Sequence, residues 1–366
     1  MLSGIKVVEI CGIGPGPFCA MHLADLGADV IAVERPQGQS APDGQLLNRG
    51  KRSIVADLKT PEGRDIVLRL IEGADVLIEG MRPGIMERLG LGPDACMARN
   101  PRLVFGRMTG WGQTGPLAQA AGHDNNYISL SGALYYAGRA AEPPSSPFTV
   151  IGDVGGGALY LAVGILSGVL NARRTGKGTV VDAAIVDGSA HMLQLILSAS
   201  RKGFIGGERG GNIHDSSHFY STYRCADGGY ITVGSIEPQF YALLLEHLDL
   251  AGDPRYSAQW DRQQWLALHG HLTGIFASKN RAEWCALLES TDVCVAPVLS
   301  PEEAARHPHN VARGIFFEGD GQLQASPAPR FHGRTRTPGP IPRRGQHTEE
   351  IENALNTPGH DQLWRN

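Results

Sequence analysis

Three residues have side chains able to move a proton at a carbon: His123 in AGHDNNYISLSG, Asp153 in VIGDVGGGALYLAVGIL and Glu237 in GSIEPQFY. An imidazole on one face of a carbon and a carboxylate on the other can remove and return its hydrogen, inverting the centre. Both groups must then exchange protons near neutral pH. Burial beside uncharged stretches helps to tune them, and His123 and Asp153 both adjoin such stretches. Asp153 is expected at the N-cap of a glycine-rich helix. Gly155, Gly156 and Gly157 would let a carbonyl approach the amides of that helix end, which suit a developing enolate. Glu237 is expected to cap the helix opened by Pro238, or else to orient the imidazole and select its tautomer. Taken singly, each residue is as well explained by a cap or a core position. The chemistry requires His123 and Asp153 to share one crevice.

A second set could hold an anion. Arg35 ends an apolar run, Arg49, Lys51, Arg52 and Lys59 fall in or beside NRGKRSIVADLK, and Arg82 and Arg88 lie in GMRPGIMERLG. Guanidinium groups at the carboxyl ends of parallel strands suit phosphates. The nearby GIGPGP turn invites a dinucleotide reading, but its spacing is G-x-G-x-G, and Pro15 and Pro17 remove amide donors. A tight turn lining a cleft is the better expectation.

These residues need a scaffold, and the pattern predicts one of α/β class. Strands are expected at 5–10, 29–34, 75–80, 102–108 and 179–187, with helical spacing between them. Crossover helices imply a parallel sheet covered on both faces. FYSTYRCADGGYITVGS reads as a hairpin around Asp227-Gly228. A smaller α+β domain is therefore expected over 215–320. The large domain would span 1–200 and be completed by 325–366, with linkers at 201–214 and 321–346. Residues 154–172 carry no charge and just reach membrane-spanning length; their five glycines and α/β surroundings favour a core helix.

Lys and Arg number 33 against 37 Asp and Glu, a balance that argues against nucleic-acid binding. The six cysteines are scattered without a CxxC pair, so neither a disulfide framework nor a metal site is expected. The amino terminus lacks a signal-peptide pattern, and DQLWRN is no peroxisomal address of the Ser-Lys-Leu type. A soluble, cytoplasmic protein with no membrane role is the expectation.

GIGPGP, ADLK, IEGMRPGIMERLGLGP, RMTGWGQTGP, GHDNNYISLSG, GDVGGG and IEPQFY, in this order, resemble the α-methylacyl-CoA racemases of the family III CoA-transferase (CaiB/BaiF-type) superfamily. The likeness runs from residue 4 to about residue 330. It implies epimerisation of the C2 centre of 2-methylacyl-CoA thioesters by 1,1-proton transfer through an enolate, with no cofactor beyond the CoA of the substrate and no metal. His123 and Asp153 would serve opposite faces, and Glu237 would support the histidine from its own or the partner subunit. CoA would bind at Arg35, Ala56, Asp57, Leu58, Lys59, Gly80, Met81, Arg82, Arg88, Gly122, Asp124, Asn125, Asn126 and Tyr127. The family fold is an interlocked homodimer whose Rossmann-like large domain holds both chain ends. Cys11 stands where a small aliphatic residue is common, which implies only a packing change. Two other readings compete: a CoA-transferase with Asp153 as nucleophile through an acyl anhydride, and a catalytically silent acyl-CoA-binding protein. His123 and Glu237 favour the racemase, since a transferase needs neither.

Overall fold

The structure, a computed structural model, describes residues 1–36, 45–201, 205–206, 208–357 and 363–364. Residues 202–204 and 207 of the expected linker, and 358–362 and 365–366 of the returning segment, lie outside the described residues. The chain divides into two compact units. The first comprises Met1–Ala133, Pro147–Met192 and Gly314–Asn366; the second comprises Leu134–Ser146 and Leu193–Arg313.

Six parallel strands form the centre of the first unit, in the order β3-β2-β1-β4-β5-β6. They are β1 (Lys6–Ile10), β2 (Asp29–Glu34), β3 (Arg52–Val55), β4 (Val76–Glu79), β5 (Val104–Thr109) and β6 (Thr179–Ala184). Successive side chains point to opposite faces. Val8, Ile10, Ile31 and Val33 therefore enter one core and Val7 and Val30 the other. Helix α1 (Pro15–Asp25) follows β1 and contributes Cys19 and Leu23 to the second core. Helix α2 (Pro61–Glu72) covers the first core with Val67, Leu70 and Ile71. Thr60 caps α2 by accepting the Gly63 amide at 3.1 Å, and Pro61, whose missing N–H costs nothing there, opens it. The C-terminal helix Thr348–Asn356 adds Ile351 and Leu355 to the same core.

Strand β3 escapes the hydrophobic pattern because cations flank it. Arg49, Lys51 and Arg52 are all buried, paired with Asp25 at 2.6 Å, Glu9 at 2.6 Å and Asp29 at 2.7 Å. These three cations are internal ties, which corrects the expectation that they join a phosphate site. Lys51 also donates to the Pro17 carbonyl at 3.2 Å, fixing the start of α1 against the sheet.

The glycine-rich run differs from expectation in two ways. It opens as a π-helix over Val150–Ala158, with Thr149 at the N-cap position, before continuing as an α-helix over Leu159–Thr175. The whole run Val150–Thr175 is long and apolar enough to cross a membrane. Here Leu161, Ala162 and Ile165 pack into the core, while Leu159, Val163 and Leu170 on the other face are exposed. Only one face of this run is core in the single chain.

In the second unit, β7 (Tyr220–Arg224), β8 (Tyr230–Gly234) and β9 (Val295–Val298) form an antiparallel sheet. Gly228 holds φ +82 in the β7–β8 turn. Residues 134–146, expected in the large domain, belong to this unit because Arg209 donates to the Arg139 and Glu142 carbonyls and the His214 ring meets the Tyr136 carbonyl at 3.0 Å.

Breaking a buried ion pair from one side leaves an uncompensated charge and costs about 3–5 kcal/mol. Lys51→Met is expected to lower unfolding stability by that order in urea titration, and adding Glu9→Gln is expected to recover part of the loss. A Lys51→Met chain as stable as the parent would contradict the structural role given to the pair.

Candidate active site

In open parallel sheets, ligands bind outside the carboxyl ends of the strands where strand order reverses. That point lies between β1 and β4. A cleft of about 320 Å³ opens there, walled by Cys11 after β1, Glu34 and Arg35 at the end of β2, the Ala56–Lys59 loop after β3, and Met81 after β4. Arg35, Ala56, Asp57, Leu58, Lys59 and Met81 of the candidate CoA residues line it. Gly80 is exposed beside Met81, and Arg82 and Arg88 are exposed on the segment that follows.

Residues outside the candidate set shape this cleft. Ile85 and Leu89, one turn apart, form an apolar wall. Glu79 accepts the Met81 amide at 2.7 Å and pairs with Arg107 at 3.0 Å; Arg107 also reaches Glu87 at 2.8 Å. This chain braces the Met81 loop against the segment carrying Ile85 and Leu89. Burial, opposed by the Met81 amide and Arg107, pushes the Glu79 carboxyl up to about 7. The i, i+4 apolar pair was the available sequence signal for the wall; the Glu79–Arg107 contact joins separate strands and left none.

His123 and Asp153 come from two segments of the first unit. His123 is the N-cap of α3 (Asp124–Leu130), its amide donating to Asn126 Oδ1 at 3.0 Å. Asn126 is thereby engaged in the cap. The Tyr127 hydroxyl donates to the Gly122 carbonyl, and its ring meets Trp111 edge-on at 4.7 Å between centroids. Asn125 is exposed, whereas Asp124 is buried and accepts the Asp153 amide at 2.7 Å.

Asp153 is the fourth residue of the π-helix, with Thr149 at the N-cap, so it does not hold the N-cap position expected for it. The Asp153 and Val154 amides are engaged by Asp124 and the Thr149 carbonyl, which removes them as donors to an enolate. The widened helix turn has no distinctive sequence pattern, hence the misplacement. The Asp153 carboxyl faces the GIGPGP turn: a Cβ on Gly14, at φ +72, would stand 3.6 Å from its Oδ2. Gly14 is three residues from Cys11 of the cleft, a separation of at most about 11 Å along the chain. The acidic group thus sits one short turn from the cleft.

Burial first, then the charge of Asp124, raises the Asp153 carboxyl to about 6, against a lowering effect of His123. His123 is therefore close enough for its charge to act on Asp153. The histidine ring is exposed in the single chain, unlike the buried imidazole expected. Glu237 lies in the second unit, exposed at the N-cap of helix Pro238–His247 without a side-chain capping bond; burial first, then the Glu237 charge, raises the Cys294 thiol. Among the described residues, no three His, Cys, Asp or Glu side chains converge as a metal site.

A carboxyl whose folded value lies above its unfolded value opposes folding once it ionises; the penalty is absent below the unfolded pKa and complete above the folded one. For Asp153 the window runs from 3.8 to about 6. Asp153→Asn is expected to stabilise the fold at pH 7.5 by on the order of 1 kcal/mol, discounted for partial exposure, with no gain near pH 3. Thermal unfolding at the two pH values tests this, and an equal gain at both would contradict the account.

Among known proteins, the family CoA-transferase family III matches residues 2–348. The chain is 44% identical to "Alpha-methylacyl-CoA racemase" of Homo sapiens, covering 96% of this chain and 92% of that protein. It is 41% identical to the Mus musculus protein of the same name, with the same two coverages. Its fold is similar to the crystal structure of a CAIB/BAIF family protein from Brucella suis, with a TM-score of 0.82, 28% identity, and coverage of 97% of this chain and 99% of that one.

Proposed function

The chain belongs to CoA-transferase family III, and from that membership we propose that it is an α-methylacyl-CoA racemase, inverting the C2 centre of 2-methylacyl-CoA thioesters. One observation carries the reading. A carboxyl raised to about 6, within reach of the His123 charge, faces the turn that leads from Cys11 of the strand-end cleft into α1.

Arg35 and Lys59 at the cleft, aided by Arg82 and Arg88, bind the phosphates of the CoA group. The thioester acidifies C2–H. His123 takes that proton from one epimer and Asp153 from the other, leaving a planar enolate. The opposite residue, already protonated, delivers its proton to the other face. Asp153 suits both duties, because near pH 6 it divides its time between acid and base. Glu237 supports the imidazole from its own or a partner subunit, a role that the likeness to the racemases alone carries. The reaction uses no cofactor beyond the substrate's own CoA.

The chain acts as an interlocked homodimer. Leu159, Val163, Leu166 and Leu170 follow helical spacing, and three of the four are more than 40% exposed in the single chain. A second copy would cover this stripe. Six free cysteines are in keeping with a cytoplasmic setting.

The family description also supports a second reading, acyl transfer with Asp153 as nucleophile. His123 beside Asp153 favours the racemase, since an anhydride needs no second base. His123→Ala and Asp153→Asn are each expected to lower epimerisation by about 10³-fold, while each variant still exchanges the C2 proton of one epimer with solvent. Proton NMR of resolved 2-methylacyl-CoA in heavy water reads both quantities. Intact exchange and epimerisation in His123→Ala would sink the assignment; an acyl group trapped on Asp153 by hydroxylamine would establish transfer instead.

A further inference from the structure

A 1,1-proton transfer needs His123 and Asp153 held at a fixed separation, yet they come from segments distant in the chain. One side chain joins them. Asp124 follows His123 directly, is 6% exposed, and turns its carboxylate inward, where Oδ1 accepts the Asp153 amide at 2.7 Å. Gly152 makes the room: a Cβ there would collide with Asp124 Oδ1 and stand 2.9 Å from Ile128 Cγ2. As a tether alone, a second buried carboxylate is a poor choice. Asparagine would accept the same bond without like-charge repulsion.

Resting on the racemase reading above, we propose that Asp124 is a positioning residue for proton transfer, tethering Asp153 to the His123 segment and setting the charge that Asp153 faces. The surroundings leave this duty to Asp124. From α3 and its cap, His123, Asp124 and Tyr127 face the Asp153 carboxyl, and the GIGPGP turn offers it Gly14. Helix α4 (Ile185–Met192), packed on the π-helix, carries Asp187 and His191, the latter joined to Tyr160 at 2.7 Å. Asp182 of β6 accepts the Gln113 amide, and His22 and Asp25 lie in the last turn of α1. Among the described residues, the Asp153 carboxyl is shifted by burial first, then by the charges of Asp124 and His123. Asp124 opposes loss of its proton, so Asp153 can still donate one at neutral pH.

Two variants separate tether from charge. Asp124→Asn keeps an acceptor and removes the charge; Gly152→Ala keeps the charge and displaces the tether. The readouts are kcat and KM for epimerisation against pH, and ¹³C NMR titration of the aspartate γ-carboxyls, with the Asp153 signal assigned by its loss in Asp153→Asn. Asp124→Asn is expected to lower the Asp153 midpoint and to cut kcat at neutral pH about tenfold, with partial recovery at lower pH and KM within about twofold. Gly152→Ala is expected to cut kcat about a hundredfold, the scale of a misplacement near 1 Å. An unchanged Asp153 midpoint in Asp124→Asn overturns the proposal, as does wild-type kcat in a folded Gly152→Ala. If Gly152→Ala does not fold, Asp124→Asn alone decides. A lowered midpoint in a protein whose parent form exchanges no C2 proton would sink the racemase reading while leaving the Asp124–Asp153 coupling in place.

Discussion

A carboxyl half removed from water beside a second carboxylate gives up its proton reluctantly, and the proposed chemistry depends on that reluctance at Asp153. An ordinary surface aspartate would be ionised at neutral pH and could only accept a proton. Burial and Asp124 bring Asp153 to where it can also donate. The surrounding architecture maintains this condition. The π-helix turn sets the carboxyl facing the GIGPGP turn, Gly152 admits Asp124, and the cap of α3 fixes the residue next to it as His123.

The proposal has a second condition, that a CoA thioester can reach this spot, and the sheet offers a strand-end cleft for it. Reversal of strand order between β1 and β4 opens the cleft, and the β1–α1 turn borders both the cleft and Asp153. Internal charges hold this turn in place: Lys51 binds Glu9 on β1 and the Pro17 carbonyl in α1 with one ammonium. Glu79 and Arg107 brace the opposite wall. These are costly groups to bury, and here they serve position more than stability.

Much of this was legible in the amino-acid sequence, for identifiable reasons. Apolar runs of strand length punctuated by glycine marked five of the six parallel strands, and Asp227-Gly228 marked the hairpin. The His-Asp pair and the glycine run drew attention to His123 and Asp153 because uncharged stretches around ionisable groups are uncommon. Partnership at a distance was hidden. Arg49, Lys51 and Arg52 resemble solvated cations until Asp25, Glu9 and Asp29 fold against them. The burial of Asp124, the widened turn that shifts Asp153 off the N-cap, and the attachment of residues 134–146 to the second unit all depend on tertiary contacts without a local pattern.

The central claim, that two groups act from opposite faces of one carbon, is tested most directly by the isotopic fate of each enantiomer with the unaltered protein. Each resolved epimer of a 2-methylacyl-CoA is incubated in heavy water, and the recovered substrate and the product are separated early in the reaction. The account predicts that inverted product carries deuterium at C2 while recovered substrate still carries protium, starting from either epimer. Deuterium appearing in recovered substrate as fast as in product would point to a single exchanging base, and no inversion from either side would contradict the account outright.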